Sequence, residues 1–400
     1  MTLFPTSRRN FLKKTSLGLA GLPWFLQACA SGKAAQKASS YFVYVGTYAK
    51  PDQDSIFGYR LNVETGELTR LLAVKGGESP SFLTLDSKQK YLYTVNEIGN
   101  YNNAKSGAVS AFAVDPGTGQ LTLLNQQASE GTSPCYISLD KTEKVALAAN
   151  YGGGNVISLP IQANGSLKKA VGNEQHQGSS VSNRQTGPHA HCIISDPKNN
   201  FIFAVDLGLD QVLGYRLDTK TAKLTRAAQP AFQTKPGAGP RHLTFHPNGQ
   251  FAFLICELNS TIIALAYNAS QGTFTEIQAL STLPADFTGE SYCADVHVSP
   301  DGKFLYGSNR GHNSVAVFGI NPATGQLTPV QHVSTQGNWP RNFAIDPSGK
   351  ILLVANERSD DIFTFRIDPG TGQLTSTGFS AQVPKPVCLR VISEFGGTKK

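Results

Sequence analysis

Three separated stretches of this chain are nearly one sequence: residues 110–122 (SAFAVDPGTGQLT), 316–328 (AVFGINPATGQLT) and 363–375 (FTFRIDPGTGQLT). Repetition at a fixed period constrains the fold more than any local propensity, because each copy must bury the same face against its neighbours. Each copy reads as strand, turn, strand. Large apolar residues alternate with small or polar ones, and Asp-Pro-Gly-Thr-Gly supplies the Pro and Gly of a tight reversal. A second set of repeats precedes the first, at residues 79–97, 239–257 and 339–357. There a strand beginning at Pro80, Pro240 or Pro340 meets a polar turn (DSKQK, HPNGQ, DPSGK) and then an apolar strand ending in Asn-Glu or Cys-Glu.

The two sets together give four strands per unit and seven units. The first unit covers residues 41–68, and the others start near Ser79, Ser133, Gly187, Gly239, Cys293 and Trp339, a spacing of about 46 to 54 residues that suits propeller blades. The expectation is an all-β, seven-bladed β-propeller of four-stranded antiparallel blades over residues 41–396, with 397–400 as a C-terminal tail. The first unit lacks an innermost strand, and residues 385–394 (KPVCLRVISE) have no partners of their own. Pairing the two closes the ring and removes a free sheet edge. A solenoid of the same units is the alternative arrangement. No period of 3.6 residues is sustained after residue 40, so helices should be few.

Residues 1–28 read as an export signal to be set aside before fold reasoning. Ser7 to Lys13 (SRRNFLK) spell a twin-arginine pattern, and the apolar run after it, broken by Gly18, Gly21 and Pro23, is too short for a permanent span. Leu26, Gln27, Ala28 and Cys29 form a lipobox-like site, so Cys29 is a candidate for lipidation, with residues 29–40 as a flexible tether. An ordinary cleavage site with an incidental cysteine is the other reading. Export by the twin-arginine translocase would place the protein in the periplasm, held to a membrane only through the lipid. Removing Arg8, Arg9, Lys13 and Lys14 takes the formal charge from +7 to +3. With no Lys/Arg stripe elsewhere, this argues against a nucleic-acid partner. Five cysteines remain within apolar strand patterns and read as buried free thiols.

In a propeller, the first strand of every blade starts at the channel mouth where the second strand ends, so two rings of residues should converge. First-strand starts bring Ser81, Cys135, His191, Arg241, Ala294 and Arg341, with His189, His242, Asp295 and His297 as neighbours. Second-strand ends bring Thr47, Glu97, Tyr151, Leu207, Glu257, Arg310 and Glu357, preceded by Asn96, Asn150, Asp206, Asn309 and Asn356. Unpaired ions at a channel wall are costly, so converging Glu, Arg and His mark a binding surface. The recurrent Asn also fits a plain turn-capping role. His189 and His191 lie two apart on one strand and suit hydrogen bonding better than a metal pair. Residues 151–154 (YGGG) read as a turn. Nucleophile-elbow, zincin, Walker and Cys-x-x-Cys patterns are absent from the sequence.

Residues 237–260 (GAGPRHLTFHPNGQFAFLICELNS) resemble the signature of the seven-bladed lactonase family, which includes propeller-type bacterial 6-phosphogluconolactonases. The resemblance extends through residues 293–311 and 339–360, and covers essentially the whole chain from Tyr41. It implies hydrolysis of a sugar lactone to an aldonic acid at the polar mouth, in carbohydrate metabolism and without a cofactor. Glu257 or Glu97 would be the general base, with Arg241 and His242 facing the oxyanion or a substrate phosphate. His189, His191, His297, Arg310, Arg341, Asn150 and Tyr151 would hold the ligand. A cytosolic phosphorylated lactone fits poorly with export, which favours an unphosphorylated one. Two other readings stay open: a non-catalytic propeller binding a glycan or protein at the same mouth, and a calcium-dependent lactonase using the Asn/Glu ring.

Overall fold

The computed structural model describes residues 39–395; the export signal, Cys29, most of the tether and the last five residues lie outside them. All twenty-nine elements among the described residues are strands, arranged in seven sheets. Six blades take four consecutive segments of chain, innermost strand first. The remaining blade has the order expected from the spare segment: Pro386–Ser393 lies innermost, beside Ser40–Thr47, Ile56–Asn62 and Leu68–Val74. It runs antiparallel to the first strand, with Tyr44 opposite Arg390 and Val45 opposite Leu389. The uniform four-stranded expectation needs one amendment. In the fourth blade the outer edge is split, and Lys223–Arg226 and Phe232–Gln233 both pair with Gln211–Asp218.

Burial explains the composition of the strands. Second strands such as Val145–Asn150, Phe251–Cys256 and Ile351–Asn356 are buried at every residue, because neighbouring blades cover both faces. They are accordingly continuous apolar runs. Outer strands such as Leu68–Val74 have no fully buried residue and mix Thr and Arg with Leu.

The repeated Asp-Pro-Gly-Thr-Gly turn does two jobs. Asp115 Oδ1 accepts the backbone N–H groups of Gly117 and Thr118, and Asp368 does the same for Gly370 and Thr371. The closing glycines, Gly119, Gly325 and Gly372, have φ of 74°, 73° and 73°, which glycine adopts without strain. Those turns also dock on the preceding blade. The Tyr306 hydroxyl donates to the Gly372 carbonyl at 3.0 Å, and Tyr44 donates likewise to Gly119. A Cβ on Gly372 would meet the Phe304 ring at 2.4 Å, so the glycine is required for close approach as well as for the turn. The five cysteines after Cys29 are free and buried.

Closure generates the first prediction. Truncation after residue 384 leaves Ser40–Thr47 an unpaired inner edge. The protein of residues 30–400 should melt in a single cooperative transition by circular dichroism, and the truncation should abolish it. A truncated protein that melts in one sharp transition at the same temperature would show that the strand is dispensable.

Candidate active site

The site begins with a turn that recurs at five blades. The residue before the inner-strand proline has positive φ at Ser79 (46°), Ser133 (52°), Gly239 (61°), Trp339 (68°) and Lys385 (41°). For residues other than glycine this conformation costs about 1 kcal/mol or more. A backbone hydrogen bond holds it: the carbonyls of Ser79, Ser133, Gly239 and Trp339 accept the N–H groups of Glu97, Tyr151, Glu257 and Glu357 at 2.7 to 3.0 Å. The contact that turns the chain into the channel thus also fixes the backbone of the residue that ends the second strand.

A β-bulge follows immediately in six of the seven inner strands. The register skips Cys135, His191, Arg241, the pair Ala294 and Asp295, Arg341, and Val387. An extra residue in one strand re-aims its side chain. Here five of the six bulges carry thiol, imidazole, guanidinium or carboxylate groups.

Glu97, Cys135, Tyr151, Arg184, His191, Glu257, Arg310 and Arg341 line one cleft of about 160 Å³. Its floor is Glu257. Oε2 accepts from Arg241 Nε at 3.0 Å and from Arg310 Nη2 at 2.6 Å, while Oε1 accepts from Arg184 Nη2 at 3.1 Å. Burial alone would raise this carboxyl; Arg310, then Arg241 and Arg184, overcome it and bring the pKa down to about 2. Glu97 is differently placed. It accepts the Tyr48 hydroxyl at 3.0 Å and lies 3.9 Å from Arg341 Nη2. His191 is held well below the ordinary histidine range, by burial first and then by Arg241, so it is neutral at neutral pH. Its Nδ1 and the Nε of Arg310 have no hydrogen-bond partner among the described residues, leaving polar capacity in two cleft residues.

A second cluster lies beside the cleft, centred on Asp295. Its carboxylate meets His242 Nδ1 at 2.8 Å and His297 Nε2 at 2.9 Å, and also accepts from Asn342 Nδ2. His242 Nε2 in turn faces Arg241 Nη1 at 3.3 Å. Burial and Arg241 outweigh Asp295 and lower His242 to about 4, so the ring is neutral and can accept from the guanidinium.

The expected residues therefore divide. Glu97, Glu257, His191, Tyr151, Arg310 and Arg341 meet at one cleft. Arg241 and His242 do not line it. Arg241, with a side chain 2% exposed, is closed off by Glu257, the Ala294 carbonyl and His242, which leaves it poorly placed to face an oxyanion or a phosphate. His297 belongs to the Asp295 cluster. His189 stacks on Tyr151, with centroids 4.5 Å apart, and its Nδ1 meets the Tyr151 carbonyl at 2.9 Å, so it supports the cleft wall. Asn150 donates to the Ser129 carbonyl at 2.7 Å, the turn-capping role, as do Asn96, Asn309 and Asn356 to the carbonyls of Gly76, Thr282 and Thr335. Of the two carboxylates expected as general base, Glu257 is the weaker base near neutrality, since three guanidiniums hold its pKa at about 2. Arg184 lies outside both repeats and was missed; no periodic pattern marks it.

Residues 42–391 match the family model described as "Lactonase, 7-bladed beta-propeller". A 6-phosphogluconolactonase of Bacillus subtilis is 40% identical over 309 residues, covering 77% of this chain and 86% of its own. One of Formosa agariphila is 35% identical, over 76% of this chain and 86% of its own. Among solved structures, the periplasmic gluconolactonase PpgL of Pseudomonas aeruginosa is 35% identical with a TM-score of 0.84, covering 89% of this chain and 99% of that one.

The buried ions set the response to acid. Unfolded histidine titrates near 6.5 and unfolded glutamate near 4.3, whereas His242 titrates near 4 and Glu257 near 2 in the fold. Between each pair of values the unfolded chain binds the extra proton, so stability falls as pH falls. Urea midpoints should be flat above about pH 7, decline below about 6.5 and fall more steeply below about 4.5. Constant midpoints from pH 7 to 4.5 would contradict the burial of neutral imidazoles.

Proposed function

The chain belongs to the seven-bladed β-propeller lactonase family, and on that premise we propose that it hydrolyses a sugar lactone to the aldonic acid in the cleft between Glu97 and Glu257. The observation that carries this reading is the unlike state of the two carboxylates. Glu257 is consumed by three guanidiniums and serves to array them, whereas Glu97 has one hydroxyl donor and a more distant arginine. Ester hydrolysis needs such a division: one group to take a proton from water, and fixed positive charge where the oxyanion develops.

In this mechanism a water beside Glu97 attacks the lactone carbonyl and gives Glu97 its proton. Negative charge on the carbonyl oxygen faces the guanidinium of Arg341, with Arg310 across the cleft. Collapse breaks the ring C–O bond, and the departing alkoxide recovers the proton from Glu97. The product carboxylic acid then ionises, releasing one proton per turnover. Neutral His191 and the Tyr151 hydroxyl hold sugar hydroxyls. A cation bound at Glu257 would have to displace three guanidiniums, which favours a metal-independent reaction over the calcium reading. The glycan-binding alternative leaves the unlike carboxylates without a purpose.

The twin-arginine pattern at residues 7–13 supports a periplasmic location, where oxidation of sugars at C1 supplies lactones. The lipid anchor at Cys29 and the tether over 29–40 belong to the same proposal.

Proton release from δ-gluconolactone and 6-phosphogluconolactone, followed against buffer, tests the function. The wild-type protein of residues 30–400 should exceed the spontaneous rate on at least one of them. Glu97→Gln should lower kcat by about 100-fold or more, the usual weight of a general base. Wild-type kcat in Glu97→Gln would remove Glu97 from this role. Glu257→Gln should instead cost stability, on the order of 3 kcal/mol in urea unfolding, because it strands buried guanidiniums. An unchanged urea midpoint would show that Glu257 does not hold the cluster together.

A further inference from the structure

The chain between the third and fourth blades, residues 176–189, crosses the mouth as a strap and delivers Arg184. Four ties hold it. His176 Nδ1 meets Asp206 Oδ2 at 2.5 Å at one end, and the N–H of His189 donates to Asp206 Oδ1 at 2.8 Å at the other. His176 Nε2 also meets the Tyr215 hydroxyl at 2.8 Å. Between the ends, the fully buried Gln185 donates to the Leu207 carbonyl at 2.8 Å, and Ser180 donates to Asp210. Asp210 also accepts the N–H groups of Gly237 and Gly239 at 2.7 Å, which links the strap to the start of the fifth blade.

A strap anchored this way presents its tip in a fixed position. At the tip, Arg184 Nη2 reaches the Tyr151 hydroxyl at 3.2 Å and Glu257 Oε1 at 3.1 Å, while 45% of its side chain is exposed. It is the most exposed of the three guanidiniums on Glu257; Arg241 and Arg310 are 2% and 6% exposed. One carboxylate cannot neutralise three cations. With Asp295 beside Arg241 as a second carboxylate, one positive charge is in excess at this end of the cleft, and Arg310 Nε has no partner among the described residues. At the other end the balance is reversed, since Glu97 and Glu357 both act on Arg341. The cleft is polarised along its length.

We propose that Arg184 is a specificity-determining residue, which with Arg310 holds a negatively charged substituent of the lactone while the carbonyl lies toward Glu97. The site would then favour an anionic sugar lactone over a neutral one. A carboxylate, as in the lactone of a sugar diacid, and a phosphate present the same chemistry to a guanidinium pair. The His176–Asp206–Tyr215 network and Gln185 are positioning residues that act through the strap. This inference rests on the lactonase reading and adds the charge of the substrate to it.

The test compares three lactones on the protein of residues 30–400: δ-gluconolactone (neutral), glucaro-1,4-lactone (carboxylate) and 6-phosphogluconolactone (phosphate). Wild type should show a higher kcat/KM on at least one anionic lactone than on the neutral one. Arg184→Gln should lower kcat/KM for that lactone about tenfold more than for δ-gluconolactone, chiefly through KM, and Arg184→Lys should recover part of the loss. Whether the carboxylate, the phosphate or both lose the advantage identifies the anion that is read. Equal losses on all three lactones, or no anionic preference in wild type, overturn the inference and leave the lactonase reading in place. No catalysis above buffer on any of the three removes both.

Discussion

The antiparallel pairing of Pro386–Ser393 with Ser40–Thr47 is the constraint on which the rest depends. A row of seven sheets without it would end in two open faces, and the inner strands would have no reason to converge on one axis. With it, the first and last segments of chain share a blade, and that blade has four strands like its neighbours. Its residues also reach into neighbouring blades. Cys388 Sγ accepts the Leu83 N–H at 3.3 Å, and Asn342 Oδ1 accepts the N–H of Leu389 at 2.7 Å. The closing strand thereby ties the first blade to the second and the seventh.

A closed ring supplies a mouth, and the repeat supplies its chemistry. The left-handed residue before the inner-strand proline recurs in five blades and the bulge in six, because they solve the same geometric problem. Each blade must bring an outer connection back into the crowded centre. Once the backbone is so fixed, two positions per blade point at shared space, and their side chains are free to differ. Blade five uses them for Arg241 and Glu257, blade four for His191 and Leu207, blade three for Cys135 and Tyr151. Function is thus written in the departures from the repeat, while stability is written in the repeat itself.

That division explains what could be read from the sequence. Strand count, blade boundaries and ring closure follow from repeated local signals, such as the near-identical turns at 115–119 and 368–372. The convergence of Glu97, Tyr151, His191, Glu257, Arg310 and Arg341 follows from topology applied to those signals. Arg241 and His242 adjoin the mouth in sequence, and which contacts they make there, with Glu257, the Ala294 carbonyl and Asp295, depends on how neighbouring blades stack. Asp295 gained its central place from contacts with His242, His297 and Asn342, which lie up to 53 residues away. Arg184 sits in a segment without periodicity, so only the tertiary ties of residues 176–189 reveal where it goes.

The electrostatics around Glu257 explains why the cleft holds two acidic residues. Three guanidiniums brought together without a carboxylate would repel and disorder the mouth, and each would carry a large desolvation cost. Glu257 orders them, and its own pKa falls so far that it ceases to be a proton acceptor. A working base must then come from elsewhere in the ring, beyond the reach of the same three cations. Glu97 enters from the second blade and is tied to Tyr48 and Arg341. A propeller can separate these tasks because each blade contributes to one mouth from a different direction, so charges a few ångströms apart can be set by different strands and keep different partners.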